Sequence, residues 1–337
     1  MSSIPLTRKK FLFSLSVFCL LICGWAVTSA LTKNPDTDRE QSYRNYFNSN
    51  YKIFSLPLPQ KLEFAGEQVP LEKTDIRERF DRELLINTYW QSQTLIFHKK
   101  ANRWFPVIEE ILAEEGVPDD FKYLALIESG LSNVVSPAGA TGYWQILRET
   151  ARELGLEVNN EVDERYHVEK STRAACKYLK QAKERFGSWS MAAASYNLGM
   201  HGLAKQVKRQ QADDYYDLLL TEETSRYLFR ILAAKEILSK PSQYGFHFRP
   251  SDLYPPYNVT EVPLDGAVND FAEYAAERGI NYKVLKILNP WLRDSFLTNP
   301  YKKVYMIKLP ADSAFGTRAF AETGEDIIDT TVTPILH

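Results

Sequence analysis

Apolar residues recur at helical spacing through the middle of the chain. Ile76, Phe80, Leu84 and Thr88 keep that spacing with charges between them, and predict a helix over 75–99. A second helix is predicted over 103–115, stopped by Gly116. After the turn Gly116-Val117-Pro118-Asp119, residues 121–130 predict a third. Its Phe121, Leu124 and Ala125 share one side, and Glu128 falls on that same side. Residues 132–142, rich in Ser, Gly and Pro, read as a loop. A short helix over 149–154 should stop at Gly155, and a long one over 163–186 at Gly187. The long one turns Ala175, Leu179, Ala182 and Phe186 inward. Ser188 or Ser190 would cap a helix over 191–197. Residues 221–238 form the last predicted helix of this run, with Glu222 and Glu223 in its first turn. Pro241 blocks its continuation.

The pattern changes on either side of this run. Residues 244–258 are rich in aromatics and Pro and read as a linker. Beyond them, 259–262 is a short apolar segment, 267–278 and 282–288 are helical, and 303–309 alternates like a strand. The order strand, helix, helix, strand defines a small unit over 259–310, followed by an acidic tail over 311–337. Upstream, Arg8, Lys9 and Lys10 precede an apolar run over 11–27, then Thr28, Ser29 and Ala30. Basic, apolar and small residues in that order form a secretory signal. The run is also long enough for an uncleaved membrane anchor. Leu20-Leu21-Ile22 before Cys23 approximates a lipoprotein cleavage site, but Ile22 stands where a small residue is required, which argues against lipidation. Residues 31–74 are expected as a polar, turn-rich linker to Asn50 and then an extended, Pro-containing strap. The fold class expected is mainly α: a helical domain over 75–243 and a small βααβ domain over 259–310.

Composition narrows the function. Lys plus Arg is 41 against 43 for Asp plus Glu, and no basic stripe or Arg-rich run appears, so no nucleic-acid partner is expected. Cys19 and Cys23 lie in the leader. Cys176 is the one cysteine after it, so no intramolecular disulfide is expected there, and it reads as a small buried hydrophobe. His98, His167, His201 and His247 lack metal-ligand spacing, so neither metal nor cofactor is expected.

Glu128 carries the clearest chemistry. A carboxyl on an apolar stripe loses hydration, which favours its neutral form. The partial negative charge of a helix C-terminus opposes ionisation as well. Both effects keep the proton on, as a general acid requires. Taken alone, such a Glu is also compatible with a solvated helix edge.

The residues around it remove much of that ambiguity. ESGLSNVVSPAGATGYWQ runs from Glu128 to Gln145, followed by SYNLG over 195–199 and ETSRYLFRILA over 223–233. These segments resemble the soluble lytic transglycosylase family, which has a lysozyme-like fold. The resemblance covers about residues 77–240, and NTYWQSQTLIFHKKANRWFPVIEEILAEEGVPDDFKYLALIESGLS is similar to the D branch of the membrane-bound lytic murein transglycosylases. It implies Glu128 as the catalytic acid and base. It implies Ser136, Gln145, Tyr196, Asn197 and Tyr227 as substrate-binding residues. Tyr143-Trp144 departs from the apolar pair, Leu-Met or similar, carried by many members. The 259–310 unit resembles a lysin motif (LysM), with Leu264-Asp265-Gly266-Ala267 replacing the usual Gly-Asp-Thr opening, which leaves glycan binding and structural packing both open.

The activity so implied is cleavage of the β-1,4 bond between muramic acid and N-acetylglucosamine without water, leaving 1,6-anhydromuramic ends. Most glycosidases need a second carboxylate to act as nucleophile or to activate water. Here the sugar's own C6 hydroxyl attacks, so one Glu serves first as acid and then as base. A hydrolytic muramidase and a catalytically silent cell-wall-binding protein are the alternatives. The expected partner is peptidoglycan glycan, and the expected location is the periplasm or cell envelope, with membrane attachment through the N-terminus if the leader is retained.

Overall fold

The computed structural model describes residues 35–50 and 52–311. The expected signal or anchor over 1–30 and most of the tail over 311–337 lie outside the described residues. Among those described, no helix is long and apolar enough to cross a membrane. The chain divides into two units, Met1–Ser55 and Leu56–His337.

In the first unit, Pro35–Asn50 is a helix, α1, where the sequence reads as a turn-rich linker. Its described side chains are exposed, and it has no apolar stripe. Side-chain pairs one turn apart lace it instead: Arg44 donates to Glu40 at 2.9 Å and Gln41 to Asn45 at 3.0 Å. Such pairs stabilise a helix by a few tenths of a kcal/mol each, roughly 0.2–0.5.

The second unit opens with extended chain and a minimal hairpin, β1 (Glu63–Phe64) and β2 (Glu67–Gln68), turning on Ala65 and Gly66. It straps the helices by burying Leu62, Phe64, Val69 and Leu71 in their core. Then come α2 (Thr74–Tyr89) and α3 (Gln91–Glu114). The predicted 75–99 helix therefore breaks at Trp90, and α3 runs straight through the gap expected at 99–103. The break is stabilised locally: the Trp90 N–H still donates to Ile86 O (3.0 Å), and the Thr94 hydroxyl donates to Asn87 O (2.5 Å). Pro106 sits inside α3. It deprives the Asn102 carbonyl of its helical donor. Both residues are exposed, so water can take that acceptor, while Ile108, Ile111 and Leu112 hold the other face in the core.

α4 (Lys122–Ser129) follows a 3₁₀ turn, and α5 (Arg148–Glu153) lies beyond the loop. α6 (Val168–Phe186) starts later than expected because 164–166 is a 3₁₀ turn. Ser188 caps α7 (Trp189–Leu198), its hydroxyl accepting from Met191 N–H at 3.2 Å. α8 (Met200–Gln210) has no counterpart in the predicted elements, and α9 (Glu222–Ser239) is capped by Thr221. α9 is the hub: it packs against α2, α7 and α4. Its Leu228, Phe229, Ile231, Leu232 and Ala233 are fully buried, so it is enclosed around most of its circumference, while Glu223, Arg226 and Arg230 line one charged side.

The C-terminal part pairs β3 (Val259–Leu264) antiparallel with β4 (Tyr305–Pro310), Val262 facing Ile307. Between them lie α10 (Phe271–Ala276), shorter than predicted, and α11 (Tyr282–Leu288). Their core is Phe271, Ala275, Leu285, Leu292, Leu297 and Ile307. The mainly helical region followed by a βααβ segment is the architecture expected from the sequence.

Candidate active site

Glu128 sits in the last turn of α4, where Gly130 (φ +58°) ends the helix in a left-handed conformation. Phe121, Leu124 and Ala125, one and two turns earlier, are fully buried, so the carboxyl rises from an apolar floor. The Tyr227 hydroxyl, from the centre of α9, donates to Glu128 Oε1. Arg230, one turn further along α9, donates to Ile127 O at 3.2 Å. Burial pushes the Glu128 carboxyl above its ordinary range. The Tyr227 hydrogen bond and the Arg230 charge pull against that, and Glu223 adds to it. The net direction is upward, as a proton donor needs. Burial and the neighbouring carboxylate push Tyr227 well above the usual phenol range, so it stays a donor.

The loop after α4 is tied to the acid through Ser129, whose hydroxyl donates to Tyr143 O at 2.7 Å. Inside the loop, Ser136 N–H donates to Ala140 O (2.8 Å), while the Ser136 hydroxyl accepts from Ala140 N–H (3.0 Å). Gln145 adopts φ +48°, and its side-chain amide donates to Val134 O (3.0 Å) and Gly142 O (2.9 Å). The loop rests on a buried ion pair. Arg165 meets Asp163 at 2.7 Å and donates to Gly139 O (3.1 Å) and Ile146 O (3.2 Å). Gly142, at φ +82°, lies so close beneath that a Cβ would come within 1.9 Å of Arg165 O.

On α7, the Tyr196 hydroxyl donates to Trp144 O at 2.7 Å, and the Trp144 indole donates to Thr172 at 2.8 Å. Burial drives Tyr196 well above the usual phenol range, with the Glu128 charge adding to it. Asn197 accepts from the Thr224 hydroxyl (2.7 Å) and donates to Glu223 (3.2 Å), joining α7 to the start of α9. Tyr227 thus contacts the acid directly, and the Glu128 charge is felt at Tyr196. Asn197 bonds to Glu223, whose charge acts on Glu128. Ser136 and Gln145 shape the loop, and their recorded hydrogen bonds are internal to it. The departure at Tyr143-Trp144 is fully absorbed: both rings are buried and both carbonyls accept site hydroxyls.

Arg230 and Trp90 have no role in the sequence reading, and Ser129 enters it only as the residue after Glu128 in the family motif. Arg230 stands three residues after Tyr227, so helical spacing alone places it on the same face. Trp90, 59% exposed at the α2–α3 break, borders with Phe97, Ile127, Glu223 and Arg230 a groove beside the acid. Cys176 is buried, and burial pushes its thiol up to about 12. Among the described residues, no cluster of three or more His, Cys, Asp or Glu could hold a metal ion.

Comparison with known proteins bears on the domains rather than on single residues. Residues 105–219 match the transglycosylase SLT domain, and 260–313 match the soluble lytic transglycosylase C-terminal LysM-like domain. The chain therefore carries an SLT lytic-transglycosylase domain followed by a LysM-like module. It is similar to the membrane-bound lytic murein transglycosylase D of Escherichia coli (strain K12), 28% identical over 243 residues, which cover 69% of this chain and 52% of that protein. The protein of the same description from Escherichia coli O6:H1 matches to the same extent. The chain spans about half the length of these curated relatives.

Proposed function

We propose that the protein is a peptidoglycan lytic transglycosylase. Glu128 protonates the glycosidic oxygen between muramic acid and N-acetylglucosamine. Now ionised, it takes the proton of the muramic C6 hydroxyl as that oxygen attacks the anomeric carbon and closes the 1,6-anhydro ring. Protons and atoms balance without water. The observation that carries this reading is the half-buried Glu128, held towards its neutral form yet hydrogen-bonded by Tyr227. That hydroxyl steadies the carboxylate left after proton transfer, and hydrogen bonds to an ionised partner are the stronger kind.

Ser136, Gln145, Tyr196, Asn197 and Tyr227 form the substrate cleft in this reading. Tyr196 and Asn197 fix the α7 wall, and the loop bearing Ser136 and Gln145 forms the opposite one. The working domains are the helical region over 75–243 and the LysM-like module over 259–310, the latter contributing glycan affinity. Export follows from the leader, and the site of action is the periplasmic cell wall, with the N-terminus as a membrane attachment when uncleaved. The named activity of the E. coli relatives supports this assignment.

Mass spectrometry of purified peptidoglycan digested by the protein tests it. Muropeptides one water lighter than hydrolytic products, absent with Glu128→Gln, are expected. Reducing ends would make the protein a muramidase. No product from either form would leave a wall-binding protein.

A further inference from the structure

The β1–β2 hairpin does more than bury apolar side chains. Its turn meets all three helices that carry the site. Ala65 N–H donates to Asp120 at 2.6 Å, in the 3₁₀ turn that leads into α4. Lys235 of α9 donates to the same carboxylate at 2.7 Å and to Glu63 O of the hairpin at 3.1 Å. Glu67 accepts from the Trp189 and Ser190 N–H groups at the start of α7, at 2.6 and 2.9 Å, and from the Ser190 hydroxyl at 2.6 Å. Among these polar contacts, Phe64 meets Phe121 edge-on at 5.1 Å, and Phe121 meets Trp189 at 5.4 Å.

Sequence spacing relates these contacts to the acid. Asp120 stands eight residues before Glu128, Lys235 eight after Tyr227, and Trp189 seven before Tyr196. Seven or eight residues make about two helical turns and return to the same face. α4 and α9 therefore run antiparallel and are joined at two points, Asp120 to Lys235 and Glu128 to Tyr227. The Asp120 and Lys235 side chains are only 15% and 23% exposed, so salt screens this pair less than a surface one. The titratable and charged groups facing Glu128 are Tyr227, Arg230 and Glu223 of α9 and Tyr196 of α7. Of these, the Tyr227 hydrogen bond depends most on exact placement, because hydrogen bonds weaken steeply with misalignment. It also holds the Glu128 carboxyl below where burial alone would put it.

We propose that the hairpin is a clamp for the active site and that Asp120 is its positioning residue, fixing α9 against α4 so that the Tyr227 hydroxyl stays on Glu128. Glu67 anchors the same hairpin to α7, the helix of Tyr196 and Asn197. The effect on turnover rests on the glycan-cleaving reading; the clamp itself does not.

The test is the pKa of the Glu128 side-chain carboxyl, followed by carbon NMR in the wild-type chain and Asp120→Asn, each with and without Tyr227→Phe. Loosening the Tyr227 bond raises that pKa, whereas losing the Asp120 charge alone lowers it, so the sign separates positioning from electrostatics. Asp120→Asn is expected to raise the pKa and to add nothing in Tyr227→Phe. An unchanged or lowered pKa, or a rise that persists in Tyr227→Phe, overturns the proposal. Should Asp120→Asn not fold, Lys235→Gln breaks the same pair, and its rise must likewise vanish in Tyr227→Phe. On peptidoglycan, Asp120→Asn should lose about tenfold in kcat at unchanged KM, and an unchanged kcat also counts against the clamp. A wild-type chain that yields no product fails the cleavage reading alone, because the NMR titration needs no turnover.

Discussion

Replacing Gly142 by alanine tests whether the loop under the acid is held as described. Gly142 adopts φ +82°, a conformation that costs an L-residue about 1–2 kcal/mol. The larger effect is steric. The new Cβ would stand 1.9 Å from Arg165 O and 2.8 Å from its carbonyl carbon, where real contacts begin near 3.4 Å. The Arg165 backbone must therefore retreat by about 1.5 Å. It cannot do so alone, because the buried Arg165 side chain is pinned by Asp163, Gly139 O and Ile146 O. Overpacking costs roughly 1–3 kcal/mol, so together with the backbone strain the substitution should cost about 2–5 kcal/mol. At roughly 2–4 °C per kcal/mol for a chain of this size, Tm should fall by about 10 °C. Gly139→Ala is the control: φ is +81°, but nothing lies within 4 Å of its Cβ, so only the strain of about 1–2 kcal/mol applies. Thermal unfolding followed by circular dichroism measures both. Equal losses in the two variants would refute the close approach of Gly142 to Arg165.

Four further outcomes follow from the same geometry. Because burial raises the Glu128 carboxyl in the folded state, its stabilising protonated form is lost as pH rises; Glu128→Gln should therefore be more stable than the wild-type chain near neutrality, the gain shrinking to nothing in acid where both forms are uncharged, as denaturant melts at several pH values would show. Tyr227→Phe removes the hydroxyl on Glu128, which lowers its pKa; cleavage should drop about 10- to 100-fold, and the alkaline limb of the kcat/KM profile should move to higher pH, whereas an unmoved limb would separate Tyr227 from the acid. Arg230→Met should shift that limb in the same direction with a smaller loss of rate, since it acts by charge and by bracing Ile127 O. Asn289, fully buried, joins the end of α11 to β4 through Leu285 O and both backbone groups of Lys308, so Asn289→Ala should cost about 2–4 kcal/mol, and hydrogen exchange should show the loss confined to residues 259–311.

Much of this protein is written locally. The apolar stripes over 75–88, 121–128 and 221–238, the glycine stops at 116, 130 and 187, and the caps Ser188 and Thr221 all act within a few residues. Sequence therefore determined most of the helices, the strand-helix-helix-strand order of the C-terminal module, and the apolar side on which Glu128 stands. Tertiary structure decided what local preference leaves open. α3 continues through Pro106 because the face opposite that exposed proline is buried, and α1 forms on side-chain pairs that leave no apolar signature. The site depends on still longer reach. Tyr227 meets Glu128 across 99 residues, Tyr196 meets Trp144 across 52, and Glu169 meets Lys308 across 139. Periodicity assigns a residue to a face of its own element, but which distant face it meets is set when the helices pack, and that packing fixes the environment of the acid.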